Sequence, residues 1–395
     1  MATVLESQPA TAAGVYARLG VKTFINASGH NTAQGGSLMP PEVLAAMQEA
    51  AGNYVSLRAL QEAAGARIAE VTGVPSALVS AGAAGAILLA AAAALTGTDA
   101  ERIVALPETL PGARNEFVVW SAPRPNYMYQ ACQAAGGKLV EVGQGSATVS
   151  AGPLTAAIGG RTAGVLLVLA PIDISLGRGA DNALLWPELI GEVAAAAGAV
   201  GVPVLVDAAS ELPPRDLLRR LIDLGVAGVI ASGGKAIRGP QATGILAGRA
   251  DLIAAAHLNN NPLAAIGRPM KVGKEEICGL VAAVERFFAM DEAAQLAGWD
   301  GAARRIAGAV PAGKGVAARV IADHPGYGRP PLVPKAVLTP DGGAAAVEAL
   351  AGALLSGAPA ISPLRQGEHL IFNPMTLMPG EDEAVAARLA AVLSA

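Results

Sequence analysis

Seven short apolar runs, separated by alanine-rich stretches of helical character, constrain this chain more than any other feature. They are Arg102–Leu106, Phe117–Trp120, Lys138–Val142, Gly164–Ala170, Val202–Asp207, Gly228–Ser232 and Thr243–Ala247. The runs are continuous rather than alternating, as in strands buried on both faces. Helical patterns lie among and before them, at Pro41–Ala51, Ala59–Thr72, Leu185–Ala197 and Pro214–Leu224. Strands alternating with helices imply an α/β fold with a mainly parallel, seven-stranded sheet covered on both sides. The runs predict one large domain over 65–257, with 1–64 as an N-terminal arm packed on it. Beyond His257 the texture changes to turn-rich segments, a long helix over Lys274–Met290, and short strands at Ala318–Ile321, Ala360–Ser362 and His369–Phe372. A closing helix is expected over Glu381–Leu393. Residues 258–395 therefore read as a linking helix and a smaller α+β C-terminal domain.

Composition narrows the function classes. A chain of 395 residues is long enough for two or three domains. Its net charge is −4 and only 15% of residues are charged, with no basic run, so nothing supports nucleic-acid binding. The mean hydropathy of +0.44 comes mostly from alanine. Val71 to Thr98 is uncharged and long enough to span a bilayer, but it contains Gly73, Pro75, Gly82 and Gly85. It is expected to be a buried core helix rather than a membrane span. Met1 to Gly20 lacks a signal pattern, so a cytoplasmic location is expected. Cys132 and Cys278 suggest reduced buried thiols. His30, His257, His324 and His369 show no ligand spacing, and no metal is expected.

Three small constellations could carry chemistry. Val229–Ser232 empties into Gly233-Gly234-Lys235, where two glycines allow the backbone to turn tightly beneath a flat cofactor. Alone, a serine three residues before a lysine is common and reads as readily as a polar loop. Val204-Leu205-Val206 ends on Asp207, which is equally a helix cap or a carboxylate at the ligand-binding edge of a sheet. Ser80-Ala81-Gly82-Ala83-Ala84-Gly85 opens a helix with small residues. That suits either close packing or an anion held by free backbone N–H groups. Together an amine, a hydroxyl and an acid suit pyridoxal 5′-phosphate: Lys235 for a Schiff base, Ser232 for the phosphate, Asp207 for the pyridinium nitrogen.

Longer motifs carry a resemblance. Ile25-Asn26-Ala27-Ser28-Gly29, Gly35-Gly36-Ser37-Leu38-Met39, Tyr54-Val55-Ser56-Leu57, the run from Ser232 to Gln241, and Gly267 to Glu275 are similar to signatures of one family. The chain resembles, from about residue 14 to 393, the selenocysteine synthase-like family of fold-type I pyridoxal phosphate enzymes. Within it the likeness is to the ammonia-lyase branch typified by D-glucosaminate-6-phosphate ammonia-lyase. The resemblance implies Lys235 as the covalent anchor, Asp207 at the ring nitrogen, and Ala83, Ala84 and Ser232 around the phosphate. It also implies at least a homodimer. The transferase proper carries an extra N-terminal domain for its tRNA, whereas almost nothing stands before Ile25 here, and with no basic surface a seryl-tRNA substrate is not expected.

Pro123 to Tyr129 should supply the group covering the cofactor ring, with Tyr127 and Asn126 as candidates. An amino acid substrate needs a cation for its carboxylate, and Arg365 is the first choice. Arg268, Lys271 and Lys274 form a second cationic cluster suited to a carboxylate or a substrate phosphate. His30 could act as acid or base, or contact the substrate. The activity expected is α,β-elimination on a small amino acid or amino sugar acid, with Lys235 removing the α-proton. Racemisation, retro-aldol cleavage, selenium-transferase-like chemistry and an inactive cofactor-binding homologue are the alternatives.

Overall fold

The computed structural model describes residues 14–122, 126–146, 149–169, 188–321 and 333–394. The chain's first strand, β1 (Ile25–Ala27), joins the smaller of two sheets. The larger contains β2 (Ser76–Ala81), β3 (Glu116–Trp120), β4 (Lys138–Val142), β5 (Thr162–Val168), β6 (Val204–Asp207), β7 (Gly228–Ser232) and β8 (Thr243–Gly248). Their spatial order is β2-β8-β7-β6-β5-β3-β4. From β7 to β4 every neighbour is parallel. Only β8 runs against its neighbours, because a turn rather than a crossover helix joins it to β7.

The sheet has its seven strands, but one differs from expectation. Arg102–Leu106 is not a strand. Ala100–Ala105 is helical, and the Asp99 side chain caps it by accepting from the N–H groups of Glu101 and Arg102 at 2.9 and 3.2 Å. The seventh strand is β2, hidden in the stretch read as one core helix. Val71–Thr98 instead contains the end of the Leu57–Thr72 helix, stopped by Gly73 at φ 70°, then β2, then the Gly82–Thr96 helix. Alanine-rich sequence carries no apolar periodicity to separate these elements. No helix among the described residues is long and apolar enough to cross a membrane. Residue 170, residues 123–125 and 185–187, and His324 lie outside the described residues.

The Gly82–Thr96 helix is apolar on all sides and mostly buried beyond its first turn, as a helix inside a core must be. Ile87 and Leu89 are fully buried, together with Phe117, Leu166, Leu205, Ile230 and Leu246 of the sheet. Each such side chain stabilises the fold by roughly 1.5–3 kcal/mol. The Pro41–Ala51 and Leu57–Thr72 helices each pack on the Lys274–Ala289 helix in the same unit.

A second compact unit comprises the described residues through Gly36 and those from Asp291 onward. Its sheet adds β9 (Val316–Ile321), β10 (Lys335–Pro340), β11 (Ile361–Gln366) and β12 (His369–Phe372), in the order β1-β11-β12-β10-β9. Thus part of the segment expected as an arm forms a parallel edge strand, with Ile25 opposite Ile361. Ile306, Val347, Leu354, Leu370, Phe372 and Leu389 fill this core. Asn26 secures the edge, since its Oδ1 accepts from the backbone N–H of Ser28 at 3.0 Å and its Nδ2 donates to the Gly29 carbonyl at 3.0 Å.

Candidate active site

Asp207 and Ser232 are the last residues of adjacent parallel strands, so the chain leaves the sheet at one edge at both points. Asp207 is only 4% exposed. Its Oδ1 accepts from the Ala209 N–H at 2.9 Å. Burial pushes its pKa up to about 6; that N–H and the Lys235 charge pull it down, and Glu211 pushes it up.

Lys235 sits in the turn from β7 to β8. A Cβ on Gly234 would lie 2.4 Å from the Gln241 Cα, and one on Gly233 would lie 2.1 Å from the Thr243 hydroxyl. Both positions therefore require glycine. Arg238, at φ 61°, is a non-glycine residue in the left-handed region, and its Nε donates to the Leu38 carbonyl at 3.0 Å. The Ser37 N–H donates to the Gly234 carbonyl at 3.0 Å. The Lys235 amine donates to Ser210 Oγ at 2.5 Å. Burial lowers its pKa, while Asp207 and Glu211 raise it.

One corner gathers the groups suited to an anion. In β8, Gly244 is the register partner of both Ser232 and Ser80. A Cβ at Gly244 would lie 2.4 Å from the Gly82 carbonyl and 2.8 Å from the Ala83 nitrogen, so Gly244 seats the Gly82–Thr96 helix start directly on the sheet. That helix has no side-chain cap. Its first-turn N–H groups, at Ala83 and Ala84, are brought to the Ser232 corner.

Asn126 caps the Tyr127–Ala134 helix, its Oδ1 accepting from Met128 and Tyr129 at 3.1 and 3.2 Å. The residue is 2% exposed and its Nδ2 has no hydrogen-bond partner among the described residues. Burial, then the charge of Asp207, raises the Tyr127 pKa, placing its phenol within electrostatic reach of that carboxylate.

These residues fit pyridoxal phosphate on structural grounds. A buried carboxylate held by one N–H suits a cationic ring nitrogen, and an uncapped helix start suits a phosphate. A desolvated amine suits covalent attachment, and a buried orphan amide calls for an acceptor. Of the other candidates, His30 and Arg365 belong to the smaller unit. His30 Nδ1 lies 2.9 Å from Met375 Sδ. Arg365 is exposed and pairs with Glu348 at 2.7 Å, with which a substrate carboxylate would compete. Arg268, Lys271 and Lys274 line one cavity of the larger unit. Sequence reasoning missed Ser210 and Gly244. Ser210 follows Asp207 by three residues, a spacing that could have marked it; Gly244 carries no local signal.

No family model matches the chain. A 5′-C-glycyluridine monooxygenase-decarboxylase from a Streptomyces species is 33% identical over 389 residues, covering 96% of this chain and 92% of that protein. D-glucosaminate-6-phosphate ammonia lyase from Salmonella typhimurium is 33% identical over 276 residues, covering 69% and 70%. A solved D-glucosaminate-6-phosphate ammonia-lyase superposes with a TM-score of 0.77 at 29% identity, over 97% of this chain and 99% of its own. Serine palmitoyltransferase from Sphingomonas wittichii shares the fold at 14% identity, with a TM-score of 0.57 and coverage of 93% and 86%.

Proposed function

The chain belongs to the fold-type I pyridoxal phosphate enzymes related to D-glucosaminate-6-phosphate ammonia lyase, and from that premise we propose an α,β-elimination on a small amino acid or amino sugar acid. The products are ammonia and a 2-oxo acid. The observation that carries this reading is the Lys235 amine, desolvated, lowered in pKa and hydrogen-bonded to neutral Ser210. A lysine in that setting is unprotonated at working pH more often than a surface one, and so can accept a proton.

When bound, the cofactor supplies an electron sink that acidifies the substrate's Cα–H bond. Lys235 Nζ would hold it covalently, and the same amine would take the proton from the substrate's Cα. Ser210 Oγ orients that amine. The Asp207 carboxylate would pair with the ring nitrogen and keep it protonated. Ser232 and the N–H groups of Ala83 and Ala84 would hold the phosphate. Asn126 Nδ2 and Tyr127 would cover the ring. His30 is assigned a proton-transfer or substrate contact, and Arg365 the substrate carboxylate. A β-hydroxyl leaves with its bonding pair as Lys235 Nζ returns the proton to it. The released enamine takes up water, giving the 2-oxo acid and ammonia. We assign the active form to an assembly of at least two copies.

The test is a panel of D- and L-amino acids and amino sugar acids with cofactor-loaded protein. Ammonia and 2-oxo acid should appear in equal amounts. Lys235→Ala should lower the rate at least about 100-fold and abolish borohydride fixation of the cofactor to that peptide. Oxidative decarboxylation is the second reading, favoured by the long match to the monooxygenase-decarboxylase. Oxygen uptake with carbon dioxide release, and no 2-oxo acid, would replace the first reading with it.

A further inference from the structure

We propose that Glu211 is a positioning residue for Lys235: its carboxylate is the counter-charge that holds the Lys235 ammonium beside Ser210 once that amine has taken a proton. Glu211 stands in the turn that carries Asp207 and Ser210, and it is half-buried there.

The turn is fixed at both ends. The Leu169 N–H donates to the Asp207 carbonyl at 2.9 Å, and the Ala208 N–H donates to the Ile230 carbonyl at 2.9 Å, so its start is tied down on both sides. The Glu211 N–H then donates to the Ala208 carbonyl at 3.1 Å, closing the turn, and Leu212 beyond it is buried. Between these points Ser210 Oγ accepts from the Lys235 amine at 2.5 Å. The backbone carrying the lysine is held as firmly. The Arg238 N–H donates to the Lys235 carbonyl at 3.0 Å, and the Gly239 N–H to the Gly233 carbonyl at 2.8 Å. One turn thus sets an acid, a hydroxyl and a second acid against one amine.

Charge separates the roles of the two acids. Burial lowers the Lys235 pKa, and Asp207, then Glu211, raise it. Among the described residues no further charge acts on that amine. Arg238, in the same turn as Lys235, sends its Nε to the Leu38 carbonyl instead. The Tyr127 phenol is felt through Asp207. Arg215, beyond Glu211, has its guanidinium 5.5 Å from the centre of the Phe287 ring.

A cation in a desolvated site is costly unless an acid matches it. Ser210 offers Lys235 a lone pair but no charge. The charge of Asp207 would be matched by the cofactor's ring nitrogen. Glu211 is then the acid left to match a proton carried by Lys235 Nζ. That this cation arises during turnover rests on the elimination reading above; that Glu211 steadies a cation on Nζ does not.

The test follows cofactor absorbance against pH in the cofactor-loaded protein, which reads protonation of the linkage at Lys235 Nζ without any turnover. Glu211→Gln should move the midpoint to lower pH. Near the wild-type midpoint, the ratio of unprotonated to protonated linkage should rise at least about threefold. Glu211→Asp keeps the charge and should recover most of that shift. With a substrate that turns over, Glu211→Gln should lower kcat at least about threefold with KM unchanged, and move the acid limb of the kcat profile to lower pH. Glu211→Ala is the second variant where a thermal melt shows Glu211→Gln to be misfolded. The proposal is overturned by a midpoint indifferent to Glu211→Gln, which is the result if the carboxylate serves only Arg215. It is overturned equally if Glu211→Asp shifts the midpoint as far as Glu211→Gln, or if a folded variant no longer binds the cofactor. Products other than ammonia and a 2-oxo acid, with the midpoint shift intact, would remove the elimination reading and leave the role of Glu211 standing.

Discussion

Gly244→Ala tests the corner assigned to the cofactor phosphate. The new Cβ would lie 2.4 Å from the carbonyl carbon and oxygen of Gly82 and 2.8 Å from the nitrogen of Ala83. Ordinary van der Waals contact begins at 3.4 Å, so the difference from 2.4 Å requires a retreat of about 1 Å. Every clashing atom is backbone, and no rotamer change relieves it. Overpacking of this kind costs about 1–3 kcal/mol. At roughly 2–4 °C per kcal/mol for a unit this large, Tm should fall by roughly 2–12 °C. The same retreat misaims the N–H groups of the helix start. Losing one hydrogen bond to a charged phosphate, about 1.5–3 kcal/mol, raises the cofactor Kd roughly 10- to 150-fold. Scanning fluorimetry of cofactor-free protein and a fluorescence titration with pyridoxal phosphate read the two effects separately. Gly298→Ala is the control, because Gly298 is exposed within the Glu292–Gly308 helix with nothing within 4 Å of its Cβ position. It should stabilise by about 0.8–1 kcal/mol and leave Kd unchanged. A Gly244→Ala protein of lower Tm but wild-type cofactor affinity would refute the phosphate assignment. Unchanged Tm would refute the packing argument itself.

Asp207 and Ser210 offer two further tests. Because the folded pKa of Asp207, about 6, lies above its ordinary 3.8, its contribution to stability is greatest at low pH. That contribution falls between those two values by about 3 kcal/mol and is flat above. Cofactor-free Asp207→Asn should therefore exceed wild type by up to about that amount above pH 6, with the gap closing towards pH 4; a gap independent of pH in urea unfolding would contradict it. Ser210→Ala removes the acceptor of the Lys235 amine and should lower kcat roughly 10- to 100-fold. Ser210→Thr should restore most of it, whereas a change in KM alone would show that Ser210 does not orient the base.

Strands buried on both faces were legible because continuous apolar runs can be satisfied in few other ways. The Pro41–Ala51 helix and the His369–Phe372 strand have the ends the sequence predicts, for the same local reasons of turn chemistry and periodicity. β2 was illegible because alanine satisfies a buried helix and a buried strand alike. Arg102–Leu106 misled because an apolar run too short for periodicity is decided by its neighbours, here the cap at Asp99.

By itself, then, the sequence determined the layered α/β architecture and the chemical types at the sheet edge: an acid, a hydroxyl and an amine. Tertiary structure alone decided which of these groups meet. β8 had to enter antiparallel for Gly244 to stand between Ser232 and the helix start. The chain had to fold back for Ser37 to hold the Gly234 carbonyl, and for Ser210 to accept from Lys235. Burial periodicity is written locally, residue by residue. Register, close approach and the desolvation that shifts a pKa arise between residues far apart in the chain, and exist only once it has folded.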